Sequence, residues 1–263
     1  MELSSNNSKS TVQTVERAMR LVRLVSSQNK EGMRLTDLVE HSHLSKPTAV
    51  RLIKELMGCG LLMQSNNRRY YLGHFAYELG LVAAAHFNLR DLCEPSVNRL
   101  AEITGDTIFL TVRSGDDSFC LDRKSGSFPV KIFSLEIGHR QPLGVGAAGL
   151  AILSRLPEDE MLHIIENNTS MLGKYGGLDS QRLLTLAQQA RAQGYSFISD
   201  FAIQGVSGVG MAVVDRVGYP ILSLSVTTLS HRMNKAHQTS VRHALKEEVI
   251  HLEGLLAHRM TKP

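Results

Sequence analysis

No apolar run in the 263-residue chain approaches the ~20 residues that span a bilayer, and its first ten residues are polar, without the apolar core of a secretory leader. Both absences argue against membrane insertion and export, so a cytoplasmic protein is expected. Cysteine is scarce. Cys59, Cys93 and Cys120 are odd in number, far apart and in no CxxC spacing, which excludes a disulfide framework and a zinc knuckle and predicts buried small residues. Histidine is present but unorganised: His41 and His43 fall in a predicted turn, and His237, His243, His251 and His258 lack the i, i+4 spacing of a helical metal pair. They are expected to be solvated, and no metal or cofactor is implied. With 43% hydrophobic and 21% charged residues, the chain is long enough for one core of ordinary size and a smaller one beside it.

Charge is unevenly placed. Residues 1–80 carry 11 Lys and Arg against 7 Asp and Glu, whereas the remaining chain has 18 of each, so the whole surplus of +4 lies in the first third. That third holds the most informative pattern. After a Ser- and Asn-rich stretch (1–10) expected to be disordered, a helix over 14–27 is predicted to bury Val15, Ala18, Met19, Val22 and Val25. A short helix follows, with Leu35, Leu38 and Val39 on one face and Thr36 as its cap; residues 41–44 form the turn. A second helix (45–57) opens on Ser45 as cap with Pro47 in its first turn, and its apolar residues Ala49, Val50, Ile53 and Leu56 are expected to point inward. Lys46, Thr48, Arg51 and Lys54 then form a polar, basic face suited to guanine edges and phosphates. Gly58 and Gly60 supply left-handed stops. Residues 61–64 and 69–72 pair as strands around a Ser65–Arg68 turn, which places Arg68 and Arg69 at the tip and return of a wing able to reach phosphate or minor groove. Two helices, a turn and a basic hairpin in this order predict a winged helix-turn-helix. Since neutralising phosphates supplies most non-specific DNA affinity, the charge surplus supports double-stranded operator DNA as the partner.

Residues 73–87 read as a helix that is apolar nearly all round, a surface a second copy of the chain would cover. A two-fold dimer would also present two recognition helices about one DNA turn, on the order of 34 Å, apart. Beyond residue 91 the pattern is blocks rather than strict alternation: a helix to 104, strands at 107–112, 118–122 and 130–135, helices at 147–156, 158–167 and 180–193, strands at 195–198, 210–214 and 221–227, and a closing helix over 235–258. This predicts an antiparallel sheet flanked by helices, and an α+β fold class for the whole.

Two glycine-rich segments invite chemistry. Gly144-Val145-Gly146-Ala147-Ala148-Gly149 matches the G-x-G-x-x-G pattern of an NAD-dependent oxidoreductase. The segment before it contains Gln141-Pro142, reads as a loop and follows antiparallel hairpins, which is not the parallel βαβ context that pattern needs. Small residues ahead of a helix still let a ligand approach free N–H groups, and a small carboxylate suits that position. Gly205 to Gly210 departs from the G-x-S-x-G nucleophile elbow and is read as a flexible loop before a strand. With Ser199 and Asp200 upstream, and Ser225 and Thr227 on one strand face, it could line a cavity; the same two hydroxyls facing water is the plainer alternative.

Six segments in order carry a family resemblance: Thr14-Val15-Glu16-Arg17-Ala18, Leu44 through Ile53, Tyr70-Tyr71-Leu72-Gly73, Pro142-Leu143 through Leu153, Gly194-Tyr195 and Gln204-Gly205-Val206. Over residues 11–260 the chain resembles the IclR-type transcriptional regulators. The resemblance implies a winged helix-turn-helix over 11–73, a linker and dimerisation helix over 74–90, and a GAF-like effector domain over 91–260. It implies a homodimer or dimer of dimers and a small organic effector, an acid or aromatic catabolite, rather than an enzyme. Carried over by position, the effector site would comprise Ala147, Ala148, Ile198, Ser199, Gly208, Ser225 and Thr227. A DNA-binding protein without a ligand is the remaining alternative. The chain departs from the commoner pattern at Gly144, where a His is usual, and at Gln204, where a Pro or Leu is usual.

Overall fold

The computed structural model describes residues 5–84, 88–201 and 203–259. The chain forms two compact units, Met1–Asn88 and Leu89–Pro263. The first contains α1 (Ser5–Ser27), α2 (Leu35–Ser42), α3 (Lys46–Gly58), the hairpin β1 (Leu62–Gln64) and β2 (Tyr70–Leu72), and α4 (His74–Ala84). Helix α1 starts earlier than expected, so residues 5–10 are helical; residues 1–4 and 85–87 lie outside the described residues. α1 packs against α2, α3 and β2. Its buried stripe is Leu21 and Val25, flanked by Ala18, Val22 and Leu24, while Val15 and Met19, expected inward, are exposed.

The α3 core face is Ala49, Leu52, Ile53 and Leu56. Spacing of i, i+3, i+4, i+7 makes one stripe, and full burial of each large aliphatic there contributes about 1.5–3 kcal/mol. Val50 falls outside that stripe and is 45% exposed, correcting its inward assignment. The caps also differ. Helix α2 is capped at Arg34, whose N–H donates to the Asp37 carboxylate at 3.2 Å; Thr36 lies inside the first turn and donates to the same carboxylate. A charged acceptor at the positive end of the helix outcompetes the hydroxyl. Ser45 is the α3 cap residue, yet its hydroxyl pairs with that of Thr48 at 2.8 Å rather than with the backbone. Gly60 alone supplies the left-handed stop (φ 75°); Gly58 stays helical, and Cys59 is exposed rather than buried.

The second unit contains α5 (Leu89–Thr104), β3 (Thr107–Ser114), β4 (Asp117–Ser125), β5 (Arg140–Pro142), α6 (Gly146–Arg155), α7 (Glu158–Leu172), α8 (Ser180–Gln193), β6 (Ser196–Ser199), β7 (Val206–Val214), β8 (Pro220–Leu229) and α9 (Lys235–Arg259). The strands form one antiparallel sheet in the order β5-β4-β3-β8-β7-β6. Helices α5 and α9 cover one face; α6 lies on the other, with α8 against it and α7 against α8.

Strand alternation divides the chemistry of the two faces. Ile108 and Leu110 of β3, Val209 and Val213 of β7, and Leu222, Leu224 and Val226 of β8 join α5 and α9 in one aliphatic core. The intervening residues, Phe109 and Thr111, Gly208 and Gly210, and Ser223, Ser225 and Thr227, turn toward α6. Arg99 and Glu248 tie α5 to α9 through two contacts of 2.8 and 2.7 Å. His237, expected in solvent, instead meets the buried Asp106 carboxylate at 2.6 Å, and Arg232 holds its other oxygen at 2.8 Å.

Three expectations fail here. Residues 130–135 are not a strand, because β5 takes the free edge of β4. Ile132 N–H donates instead to Thr107 Oγ1 at 3.2 Å, and Arg123 stacks on Phe133 at 4.3 Å. The segment before the glycines is an edge strand rather than a loop. The presumed loop at residues 206–210 is the first half of β7.

Candidate functional site

Two surfaces carry function, one in each unit. In the first, Lys46, Arg51 and Lys54 are exposed on α3 on the side away from its buried stripe, with Ser45 exposed at the cap and Thr48 half-buried against it. Val50 lies one turn from both Lys46 and Lys54, so an apolar group sits among the cations, suited to a thymine methyl. Its position outside the 49, 52, 53, 56 stripe was the signal sequence reasoning passed over. The wing forms with Leu62 opposite Leu72 and Gln64 opposite Tyr70, and a Met33–Tyr70 bridge adds a third edge. Arg68 stands exposed in the turn with φ 60°. Arg69 is differently employed: its guanidinium donates to the carbonyls of Gly32 at 2.8 Å and Glu31 at 3.5 Å, tying the wing to the turn after α1.

In the second unit a pocket with about 150 Å³ of room opens between the sheet and the start of α6. That is the size of cavity that takes one benzene ring. Ala147, Ala148, Ile198, Gly208, Ser225 and Thr227 line it. Ser199 does not; its hydroxyl donates to Asp200 at 2.7 Å and accepts from Ser207 at 2.7 Å. Sequence reasoning missed Phe109, Thr111, Ser134, Leu135, Gln141, Tyr175 and Ile203. Phe109 and Thr111 follow only once β3 is known to lie beside β8, where they face Ser225 and Ser223.

The start of α6 is seated by hydroxyls and glycines. Ser196 donates to Ala147 O at 2.6 Å and Ser223 to Ala148 O at 3.0 Å. A Cβ on Gly210 would stand 2.5 Å from Ala147 O, so only glycine allows this approach. Val145 at the cap offers no side-chain bond, so the first amides of α6, which belong to the pocket-lining Gly146, Ala147 and Ala148, have no intrahelical partners. Gln141 Nε2 donates to Val145 O at 2.8 Å and fixes the carboxamide beside them. Burial, aided by Asp117, raises the Tyr175 phenol, keeping it a protonated donor at neutral pH. Burial likewise pushes the Cys93 and Cys120 thiols up to about 12, so neither is a nucleophile. Among the described residues no cluster of His, Cys, Asp and Glu could hold a metal, and no helix is long and apolar enough to cross a membrane.

The family descriptions "IclR helix-turn-helix domain" and "Bacterial transcriptional regulator IclR C-terminal" match residues 14–65 and 82–252. The chain belongs to the IclR family. It is therefore a transcriptional regulator, with a helix-turn-helix DNA-binding unit and a C-terminal effector-binding unit, and not an oxidoreductase built on Gly144 to Gly149. Among its IclR relatives, the transcriptional regulator XynR of Escherichia coli K12 is 28% identical over 249 residues, spanning 94% of this chain and 98% of XynR. An IclR regulator from Silicibacter sp. TM1040 has the same fold, with a TM-score of 0.80 at 20% identity over 92% of this chain and 95% of its own. An IclR homologue from Microbacterium hydrocarbonoxydans, solved in complex with 4-hydroxybenzoate, aligns with a TM-score of 0.67 at 20% identity over 92% and 98% of the two chains.

Proposed function

We propose that the chain is a cytoplasmic, homodimeric or dimer-of-dimers regulator that binds operator DNA through residues 11–73, associates through the linker and dimerisation segment 74–90, which contains α4, and answers to a small organic effector, a carboxylate or aromatic catabolite, bound within 91–260. Ser45, Lys46, Thr48, Arg51, Lys54 and Arg68 contact the operator, with Arg69 positioning the wing. Ala147, Ala148, Ile198, Gly208, Ser225 and Thr227 contact the effector, with Ser199 supporting the loop beside them. The dimer reading is supported by α4, where Tyr77, Leu81 and Val82 are 69%, 57% and 74% exposed. Such an apolar surface gains from being covered.

The observation that carries the effector reading is the ring-sized pocket closed by the uncapped start of α6, together with the 4-hydroxybenzoate held by the Microbacterium relative. A coupling of about 1–3 kcal/mol between effector and operator shifts operator affinity about 5- to 150-fold. Footprinting on promoter fragments from the gene's neighbourhood, at low ionic strength, is expected to protect a two-fold symmetric site. Titrating a panel of single-ring and short aliphatic acids into that complex is expected to change the protection. Protection that no acid alters would favour a DNA-binding protein without a ligand, and no protection on any fragment would refute the operator reading.

A further inference from the structure

Three hydroxyls are spent on seating the start of α6 and the strand before it, and among the described pocket residues Thr111 alone buries its hydroxyl completely without a partner. Ser196 and Ser223 donate to the first carbonyls of α6, and Ser118 donates to Gln141 O at 3.2 Å. Thr111, the cross-strand neighbour of Ser223, is 1% exposed, lines the pocket, and its Oγ1 is buried with no hydrogen-bond partner among the described residues. A buried hydroxyl without a partner is unfavourable, and a valine of the same shape would fill the site without that cost. The fold supplies the Thr111 hydroxyl no partner, and a polar group seated at this end of the pocket could supply one. Beside it the free amides of α6 supply further donors and the positive end of a helix dipole. No Lys, Arg or His lines the pocket, so these neutral donors face at most one negative charge, while Ile198, Ile203 and Val206 form an apolar side for the rest of the molecule.

We propose that Thr111 is a specificity-determining contact that donates to the carboxylate of a monoanionic single-ring acid, whose ring lies toward Ile198, Ile203 and Val206. This rests on the effector reading above and narrows it. The assignment extends the pocket to β3, and it separates acids from their neutral amides: the amide presents an N–H₂ group where the acid presents a second acceptor.

The test uses the full chain, its Thr111→Val and Thr111→Ser variants, and two probes, 4-hydroxybenzoate and 4-hydroxybenzamide. Calorimetric titration is expected to show the wild type preferring the acid. Thr111→Val should lose about tenfold or more in affinity for the acid, as expected for one buried hydrogen bond to a charge, change little toward the amide, and melt without ligand at or above the wild-type temperature. Thr111→Ser should keep the acid preference. A valine variant that melts lower and binds the acid as tightly as wild type would make the hydroxyl structural and overturn the contact. A wild type that binds neither probe would overturn the single-ring acid class together with the contact, and if another acid still alters operator protection, the broader effector reading stands without it.

Discussion

Replacing Gly210 by alanine places a methyl 2.5 Å from Ala147 O and 2.8 Å from both Ala147 C and Ser196 Oγ. Two of these atoms are backbone, so no rotamer relieves the clash, and α6 must lift from β7. Overpacking of this kind costs about 1–3 kcal/mol. Lifting the helix also weakens the Ser196 to Ala147 hydrogen bond, worth about 0.5–1.5 kcal/mol, for a combined loss of about 1.5–4.5 kcal/mol. In a unit of this size each kcal/mol lowers the midpoint by about 2–4 °C, which predicts a fall of about 3–18 °C. Differential scanning calorimetry of wild type and Gly210→Ala measures it. The first unit has its own core, so its transition should stay in place and the loss should fall on the second unit alone. A variant melting within a degree of wild type would show that α6 is not seated on β7 as described, and the pocket geometry would go with it.

Arg51→Ala should weaken specific operator binding by about 1–3 kcal/mol, whereas Lys54→Ala should weaken all sequences alike and reduce the salt slope by about one; mobility shifts across a salt series separate the two. Arg68→Ala should reduce operator affinity without moving the first unit's melting temperature, and Arg69→Ala should lower that temperature, since its guanidinium holds the Glu31 and Gly32 carbonyls; the opposite pattern in a melt would reverse the two roles. Hydrogen bonds from Ser199 first, then Ser230 and Gly205, hold the Asp200 carboxyl below its ordinary range. Its folded value is therefore below its unfolded one, and the stability it contributes is present above the unfolded value of about 3.9 and disappears as pH falls through the folded one. Melting curves of wild type and Asp200→Asn should accordingly differ at neutral pH and converge below about pH 4; parallel curves would discount the carboxylate. Gly254→Ala adds a methyl to the interior of α9 with nothing within 4 Å, and should raise stability by about 0.5–1 kcal/mol in a urea titration.

The first unit was readable because each helix buries one stripe against a small core, and a 3.6-residue period shows in the chain itself. Even there the reading slipped where two apolar residues adjoin: Ala49 and Val50 cannot both face inward, and the buried partners Leu52, Ile53 and Leu56 select Ala49. The second unit was readable in its helices and in β3, β4 and β8, whose β-branched and aromatic residues announce strands. β7 was half hidden. Gly208 and Gly210 look like loop, yet they are in the sheet because α6 presses on them, a reason that lies outside the strand's own sequence. Residues 130–135 fail for the converse reason: the alternation is there, but β5 occupies the edge it would need. The pocket followed the same divide, since residues near the glycines were found and the contribution of β3, which depends on strand order, was not.

The central strands of the second unit send their aliphatic side chains toward α5 and α9 and their hydroxyls and glycines toward α6, on opposite sides of one layer of backbone. Positions that hold α6, Gly210, Ser196 and Ser223, serve the fold, whereas Ser225 and Thr227 line the pocket without bonding the helix. Exchange at these two can retune which metabolite is sensed while the seat of α6 and the packing underneath are left alone, so a new chemical specificity is open to this scaffold through single substitutions.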